Sequence, residues 1–304
     1  MPARSEHPQA IIGGTGFSEF ASDFQIILTD YGDVRVGHLE LGGKEVFFLS
    51  RHQQLEAPHL VNYRANMQAL KLLDVNTIFA VSACGRLAQD VLPGHLVGVD
   101  DIDWDDAGSR PSTFVEPGLL LHASTNELFS PGLRTILAES WEEVEPEVAQ
   151  LYDGTQLAVG YHDGGTYFNI NGPAFTPPHR EARLRRQTED SKVIGMTLFP
   201  ETHLAREMAM AYAAIGMCVD HSNFPGAPPV SHAEGVMVAV QKTAQAAYKL
   251  INRATKNTPN DFYDVVAHGA FKNSLFPGQV DFDRLKGNGR TNLAFILDNA
   301  LKSQ

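Results

Sequence analysis

The sequence predicts an α/β protein that forms one large domain, and three observations support this. The chain has 304 residues, which is long for one hydrophobic core and short for two. Hydrophobic residues make up 43% of the chain, enough to fill a substantial core. Short apolar or β-branched runs alternate with helical patterns, which is typical of a sheet covered by helices.

Eight short segments are rich in apolar or β-branched residues and are bounded by turn-forming residues, so each is predicted to be a strand. The predicted strands are Ala10–Ile12, Glu45–Leu49, Thr77–Ser82, His95–Val99, Gln156–Val159, Tyr167–Ile170, Val193–Met196 and Ala214–Val219. The sequence has no internal repeat and no low-complexity tract, so these strands are expected to belong to one layered fold.

Three helices are predicted from apolar residues spaced three or four apart, a pattern that buries one face of a helix. The three apolar stripes are Val61, Ala65, Ala69 and Leu72; Leu204, Met208, Tyr212 and Ile215; and Val236, Val240, Ala244 and Ala247. The third helix has a marked start, because Ser231 and Glu234 fit the capping box that satisfies the first free backbone amides.

Three stretches are irregular and rich in proline or glycine, namely Pro111–Gly132, Pro173–His179 and Asn223–Pro229. Loops of that kind often border a functional site. At the ends of the domain, residues 1–9 are expected to be loose. Residues 257–304 form an extension that the sequence assigns equally to a terminal helical layer or to a loose tail.

The formal net charge is −12, so the surface is acidic. An acidic surface argues against nucleic acid as a partner, because binding a phosphate backbone requires a basic footprint. No uninterrupted apolar run has membrane-spanning length, and Met1–Gln9 lacks the apolar core of a signal peptide. We therefore expect no membrane partner and a cytoplasmic location.

The chain contains two cysteines, Cys84 and Cys218, both in apolar, small-residue surroundings. They are predicted to be buried free thiols, which suits a reducing compartment. Neither cysteine belongs to a CxxC pair, so we expect no zinc site.

The segment Ile11–Phe17 (IIGGTGF) joins a short apolar strand to a glycine-rich turn. Glycines let the backbone approach an anion closely, and the Thr15 hydroxyl adds a hydrogen-bond donor. A dinucleotide-binding turn would need a third glycine at the position of Glu19. A structural turn without a ligand stays open as the alternative.

Arg51 and His52 directly follow a predicted strand. The carboxyl end of a strand in an open α/β sheet faces the ligand crevice, so Arg51 is a candidate for bidentate contact with phosphate. The alternative is a surface salt bridge. The small residues of Val81–Gly85 (VSACG) likewise allow close backbone approach, with a tight turn as the alternative.

Two further strand ends carry polar groups. Thr197 can donate to phosphate, whereas Glu201 either orients neighbouring groups or favours the start of a helix. Asp220 follows a strongly apolar strand, where a carboxylate is costly without a partner. A departing purine would supply that partner through N7 and its exocyclic amine.

Taken in order, these segments resemble the trimeric purine nucleoside phosphorylases, and most closely the methylthioadenosine phosphorylase branch. The matching segments are IIGGTGF (11–17), RH (51–52), NYRANMQALK (62–71), SACGRL (82–87), RPSTF (110–114), GGTYFNINGPAF (164–175), GMTLFPE (195–201) and the stretch around Asp220. The resemblance runs from near residue 10 to near residue 251 and is weak around residues 140–151. It implies a single-domain mixed twisted sheet flanked by helices, a homotrimer, and phosphorolysis of a purine nucleoside by inorganic phosphate without a metal or an organic cofactor.

The resemblance also implies roles for individual residues. Phosphate-binding positions are matched by Thr15, Arg51, His52, Ser82, Ala83 and Thr197. Met196 matches the residue that packs on the ribose, and Asp220 matches the carboxylate that faces the purine. Arg51 and Thr197 at the phosphate and Asp220 at the leaving base would then carry catalysis through an oxocarbenium-like transition state.

Other matched positions bear on the nucleoside. His122 matches a histidine that reaches the 5′ end of the substrate from a neighbouring subunit. His232 opens the helix that lines the 5′ pocket, where a histidine suits a 5′-hydroxyl although the other motifs favour a 5′-methylthio group. Ser222 stands where a second acid is expected, Gln53 stands where a glycine is usual, and the loop 223–229 is unusually rich in proline.

The leading interpretation is phosphorolysis of 5′-methylthioadenosine to free purine and 5-methylthioribose-1-phosphate. Three alternatives stay open: a purine nucleoside phosphorylase acting on adenosine, inosine or guanosine, a non-catalytic nucleoside-binding paralogue, and a nucleoside hydrolase. A carboxylate at Asp220 favours a 6-amino over a 6-oxo purine, because it accepts from an amine and repels a carbonyl oxygen.

Overall fold

Among the residues that it describes, the computed structural model places eleven strands in one mixed sheet flanked by helices, which confirms the predicted α/β class. The described residues are 7–14, 16–17, 21–53, 55–187, 189–227, 233–271 (with side chains from 237 onward), 281 and 295–296. No helix within these ranges is both long enough and apolar enough to cross a membrane.

The sheet has one main path and one branch. In spatial order the main path consists of β2 (Ser22–Thr29), β3 (Gly32–Leu41), β4 (Lys44–Ser50), β1 (Gln9–Gly13), β5 (Thr77–Arg86), β10 (Ser191–Gly195), β9 (Thr166–Asn169) and β7 (Asp101–Asp103). The branch leaves β5 and consists of β11 (Ala211–Asp220), β6 (Leu96–Gly98) and β8 (Tyr161–Asp163). β1 is parallel to β4 and β5, whereas β3 and β10 are antiparallel to their neighbours β4 and β5, so the sheet is mixed.

β5 changes neighbours along its length, and this opens a gap in the sheet. β1 pairs with β5 as far as Ala80, whereas β10 pairs with Gly85 and Arg86. On its other side β5 stays paired with β11 from Thr77 to Gly85. Residues 81–84 therefore have no strand partner on one edge within the described part of the chain. Such a gap at the carboxyl ends of parallel strands is where open α/β sheets form a crevice.

Helices cover both faces of the sheet centre. The helices whose bounds lie within the described residues are α1 (Tyr63–Leu72), α2 (Pro131–Tyr152), α3 (Pro178–Leu184), α4 (Glu201–Glu207), α5 (Ala233–Asn257) and α6 (Val265–His268). α1 and α4 pack on the face that carries Ile12 and Ile78, whereas α2 and α5 pack on the face that carries Ile11 and Phe79. Because both faces are covered, β5 and β11 are apolar and buried over nearly their whole length.

The predicted strands coincide with observed strands, apart from their exact ends, except at Gln156–Val159. That segment is irregular: the backbone amide of Ala158 donates to the carbonyl of Pro93, and the next strand begins at Tyr161. The sequence patterns do not predict β2, β3, β7 or β8. β2 is largely exposed, so it lacks the apolar alternation by which a half-buried strand is recognised.

The apolar stripe from Leu204 to Ile215 is not one helix. α4 ends at Glu207, because Ala209 has a φ of 52°, a left-handed conformation that a continuing helix excludes. Tyr212 and Ile215 belong to β11, where they face opposite sides of the sheet. Their helical spacing reflects a buried strand that is apolar on both faces.

The other two predicted helices are confirmed as α1 and α5, although Val61 precedes α1 and Leu72, at the end of α1, is exposed instead of buried. α5 buries the part of its apolar stripe that runs from Val240 to Ala247. Of the predicted helix start, Ser231 lies outside the described residues, as do the side chains of Glu234 and Val236. Of residues 1–9, which are expected to be loose, Gln9 already belongs to β1. Within the C-terminal extension of residues 257–304, Val265–His268 form the short helix α6.

The sequence patterns do not single out α2. Ser130 caps this helix by accepting a hydrogen bond from the Leu133 amide, and Pro131 lies in the first turn, where proline is tolerated. The largest apolar residues of its buried face are Leu133, Leu137, Trp141, Val144, Val148 and Tyr152. Pro146 obscures this periodicity, because proline is rare inside helices.

Leu70→Ala should destabilise the fold, because Leu70 is fully buried in the core under α1. The expected loss in the free energy of unfolding is about 2–5 kcal/mol, the usual cost of a buried leucine truncation. Leu72→Ala in the same helix is the matched control, since Leu72 is 38% exposed. Urea denaturation followed by circular dichroism measures both, and equal losses would contradict the packing described.

Candidate active site

One cavity of about 650 Å³ lies at the gap in the sheet, where β1, β4, β5, β10 and β11 end. Of the eleven candidate phosphate- or nucleoside-binding residues, eight line this cavity: Arg51, His52, Ser82, Ala83, Met196, Thr197, Asp220 and Ser222. His122 is exposed and is not on the cavity wall. Thr15 and His232 lie outside the described residues.

Arg51 is fully buried at one end of the cavity and is held from several sides. Its Nε and Nη2 donate to Glu201 Oε2 and Oε1 at 2.7 and 2.8 Å. Nη1 donates to the carbonyl of Val81 at 2.7 Å, and the Arg51 amide donates to the carbonyl of Gly13 in the glycine-rich turn. Nη1 and Nη2 each carry a second N–H, which has no partner among the described residues.

The electrostatics of this pair depend on burial. Burial alone lowers the pKa of Arg51, but the Glu201 carboxylate outweighs it and the net pKa is raised. Tyr212 donates to Glu201 Oε1 at 2.5 Å, and burial beside that carboxylate raises the pKa of Tyr212. The alternative of a surface salt bridge for Arg51 is therefore wrong, because the pair has no exposed side-chain surface. Glu201 combines both predicted roles, since it orients Arg51 and is the first residue of α4.

Two hydroxyl groups lie on the wall near Arg51. Ser82 Oγ of β5 and Thr197 Oγ1, which follows β10, are 3.1 Å apart. Both contact a residue that the sequence patterns did not single out: Tyr167 OH lies 2.9 Å from Ser82 Oγ and accepts from the Thr197 amide at 3.3 Å. The GTY motif contains Tyr167, but no sequence signal shows that its hydroxyl reaches two other motifs.

His52 and Gln53 fix the turn that follows Arg51. His52 Nδ1 lies 2.7 Å from the carbonyl of Glu56, and because a carbonyl only accepts, the ring proton is on Nδ1. Burial and then the nearby Arg51 charge lower the pKa of His52, so the ring is neutral and Nε2 is an acceptor. Gln53 donates to the carbonyls of Ser50 and Arg35, so this replacement for the usual glycine ties the turn to β3.

Asp220 and Ser222 form the other end of the cavity. Asp220 is half-buried, pairs in register with Gly85 of β5, and accepts from the Ser222 amide at 2.6 Å. A Cβ atom at Gly85 would lie 1.9 Å from Ser222 Oγ and 2.8 Å from Asp220 Oδ1. Gly85 therefore lies inside a strand beneath the carboxylate, and the predicted alternative of a tight turn at Val81–Gly85 is wrong.

Glu181 of α3 lies on the same wall and was not singled out in the sequence. Its buried carboxylate accepts from the Asn223 amide and from Asn223 Nδ2, both at 2.9 Å. The second Nδ2 proton goes to the carbonyl of Thr176 at 3.0 Å. Burial outweighs these bonds and raises the pKa of Glu181. Both protons of the Asn223 side-chain amide are thus donated to protein groups, and these bonds fix the loop that follows Asp220.

Arg110, from the RPSTF motif, positions the wall around Met196. This buried guanidinium donates to the carbonyls of Met196 and Phe199 at 2.8 and 2.6 Å and to that of Asn171 at 2.6 Å. The hydrogen-bond acceptors of the Arg110 guanidinium are thus backbone carbonyl oxygens. Burial lowers the pKa of Arg110. Among the described residues, no group of three or more His, Cys, Asp or Glu side chains is arranged to hold a metal ion.

Known proteins are similar to this chain in sequence and in architecture. Residues 9–256 match the family model described as the phosphorylase superfamily. The chain is 38% identical over 258 residues to the S-methyl-5′-thioadenosine phosphorylase of Hyperthermus butylicus, covering 80% of this chain and 87% of that one. It is 32% identical over 264 residues to the 6-oxopurine nucleoside phosphorylase of Pyrococcus furiosus, covering 83% and 93%. The crystal structure of a methylthioadenosine phosphorylase sourced from an Antarctic soil metagenomic library aligns with a TM-score of 0.79 at 29% identity, covering 96% and 99%.

Glu201→Gln should destabilise the fold strongly, because it leaves the buried Arg51 guanidinium without its counter-charge. Breaking a buried ion pair from one side costs about 3–5 kcal/mol in the free energy of unfolding. Glu147→Gln is the matched control: Glu147 is half-exposed and pairs with Lys249 at 2.7 Å on the surface. Urea denaturation should show a loss for the first variant only, and an unchanged midpoint for Glu201→Gln would contradict a structural role for the pair.

Proposed function

The chain belongs to the phosphorylase superfamily, and from this premise we propose that it cleaves the N-glycosidic bond of a purine nucleoside with inorganic phosphate as the nucleophile. The leading substrate is 5′-methylthioadenosine, with free adenine and 5-methylthioribose-1-phosphate as products. The observation that carries the proposal is one cavity with anion-binding donors at one end and a carboxylate at the other. A nucleoside with a phosphate beneath its sugar requires that polarity.

The end around Arg51 suits phosphate. Arg51 offers two N–H groups that have no partner among the described residues, while Ser82 and Thr197 add hydroxyl donors 3.1 Å apart. Because Arg51 is already neutralised by Glu201, the oxygens of phosphate are held by several directed hydrogen bonds rather than by one free charge. Ala83 and His52 lie on the same wall, and Thr15 completes the proposed set.

The end around Asp220 suits a 6-aminopurine. The carboxylate accepts from the exocyclic amine, and a proton shared with N7 would neutralise the leaving base. Asn223, the nearby amide that would suit a 6-oxo group, is engaged by Glu181 and Thr176. This arrangement favours the methylthioadenosine assignment over that of a 6-oxopurine enzyme, which stays the second candidate because a relative carries that name.

The reaction we propose is a single displacement at the anomeric carbon. A phosphate oxygen forms a bond to that carbon as the bond to the purine nitrogen breaks, and the sugar passes through an oxocarbenium-like state. The phosphate anion stabilises the positive charge that develops on the sugar, while Met196 packs against the ribose. Phosphate is the co-substrate, and the proposed reaction uses no metal or organic cofactor.

The pocket for the 5′ group of the sugar and the oligomeric state are proposed together, because the same exposed side chains bear on both. Leu55 and Phe175 lie on the cavity wall yet are 97% and 83% exposed, so large apolar side chains stand open to solvent beside the site. Cover by a neighbouring subunit would remove that exposure and create an apolar surface that suits a 5′-methylthio group. We therefore propose a homotrimer in which the exposed His122 reaches the adjacent site, acting in the reducing cytoplasm that free buried Cys84 and Cys218 suit.

Base release should depend on phosphate. The enzyme is incubated with methylthioadenosine, adenosine, inosine and guanosine, with and without phosphate, and free base and sugar phosphate are measured by chromatography. We expect base release only with phosphate and fastest with methylthioadenosine. Free sugar formed at equal rate without phosphate would identify a hydrolase, and no base release under any condition would identify a non-catalytic binder.

Asp220→Asn should shift base preference toward 6-oxopurines, because an amide donates where the carboxylate only accepts. Losing a charge-assisted hydrogen bond of about 1.5–3 kcal/mol should lower the ratio of kcat/KM for adenosine over inosine by roughly one to two decades. Asp163→Asn removes an equal charge in β8, outside the cavity, and should leave the ratio unchanged. Equal losses on both nucleosides in Asp220→Asn would show that Asp220 does not read the 6-position.

A further inference from the structure

We propose that Tyr167 is a positioning residue of the phosphate end: its hydroxyl orders the Ser82 and Thr197 hydroxyls so that their protons point into the cavity. This inference rests on the proposed function, since it assumes that phosphate binds at that end. Tyr167 is fully buried in β9 and is not on the cavity wall, so it acts through its neighbours rather than on the substrate.

The direction of the hydrogen bonds follows from the groups involved. The Thr197 backbone amide can only donate, so the Tyr167 oxygen accepts there, at 3.3 Å. We assign the phenolic proton to Ser82 Oγ, 2.9 Å away. Ser82 then accepts that proton and keeps its own hydroxyl proton for Thr197 Oγ1 at 3.1 Å, for the Ala83 carbonyl at 3.5 Å, or for a ligand.

Either arrangement leaves donors for an anion. If Ser82 donates to Thr197, the Thr197 proton is free to donate into the cavity. If Thr197 donates to Ser82 instead, the Ser82 proton is free, and if neither donates to the other, both protons are free. Without the phenol, Thr197 is the remaining donor to Ser82 Oγ among the described residues, and Ser82 can turn its own proton to the Ala83 carbonyl, 3.5 Å away, instead of into the cavity. Donors that are ordered before the ligand arrives need no reorganisation when it binds.

A second, independent feature shows that the fold accommodates this hydroxyl. A Cβ atom at Gly195 would lie 2.0 Å from Tyr167 OH, so any side chain at position 195 would push the phenol out of reach. Gly195 ends β10 and pairs with Asn169 of β9, which fixes the two strands at the distance that the contact needs. Burial raises the pKa of Tyr167 to about 12, so the phenol keeps its proton and stays a donor.

The test is Tyr167→Phe, which removes one oxygen and keeps the ring in the core. The matched control is Tyr152→Phe, because Tyr152 is also buried, donates through its hydroxyl to the carbonyl of Gly94 at 2.9 Å, and lies away from the cavity. For both variants we measure KM for phosphate and for the nucleoside, calorimetric binding of inorganic phosphate to the free enzyme, and urea denaturation.

For Tyr167→Phe we expect KM and Kd for phosphate to rise about tenfold, the equivalent of one neutral hydrogen bond, with KM for the nucleoside nearly unchanged. Tyr152→Phe should lose comparable stability and keep wild-type values of both constants. Unchanged phosphate constants in Tyr167→Phe, or equal rises in both KM values, would overturn the inference and leave the proposed function standing. Phosphate-independent base release by the wild-type enzyme would overturn the proposed function itself.

Discussion

The buried ion pair between Arg51 and Glu201 joins four elements around the cavity. Arg51 follows β4, Glu201 opens α4, and Tyr212 of β11 and the Val81 carbonyl of β5 complete the hydrogen bonds of the pair. Two charges leave water only at a high cost in free energy, so such a pair is stable only when close contact and further hydrogen bonds offset that cost. The four elements must therefore meet with matched positions, and their meeting fixes the end of the cavity that Arg51 lines.

Under the proposed function, this pair also decides how an acidic protein binds phosphate. With a net charge of −12, the chain offers no general attraction for phosphate, and the buried Arg51 is already neutralised by Glu201. Recognition then depends on the number and direction of the donors rather than on excess positive charge. The hydroxyls of Ser82 and Thr197 supply part of this set, and Tyr167 behind them belongs to the protein interior.

Buried polar side chains behind or within the wall share a common task. Arg110 holds the segment around Met196 through carbonyl oxygens, and Glu181 holds the loop after Asp220 through Asn223. Each replaces water around groups that would otherwise lie unpaired in the interior, where an unsatisfied polar group is costly. The cavity thus gains fixed walls from loops, which by themselves have no regular hydrogen-bonding pattern.

The amino-acid sequence by itself determined the fold class and most strands of the sheet centre, because buried strands are local patterns. Polar strand ends indicated Arg51, Ser82, Thr197 and Asp220, and the resemblance to a known family supplied the other four site residues that line the cavity. It did not separate the end of α4 from β11, since a strand buried on both faces is as apolar as a buried helix.

Only the tertiary structure showed that Glu201 neutralises Arg51, that Gly85 lies beneath Asp220, and that Tyr167 links two motifs. Each of these contacts joins residues that are far apart in the chain. Strand register and packing bring such residues together, and neither property is present in the local sequence around any one of them.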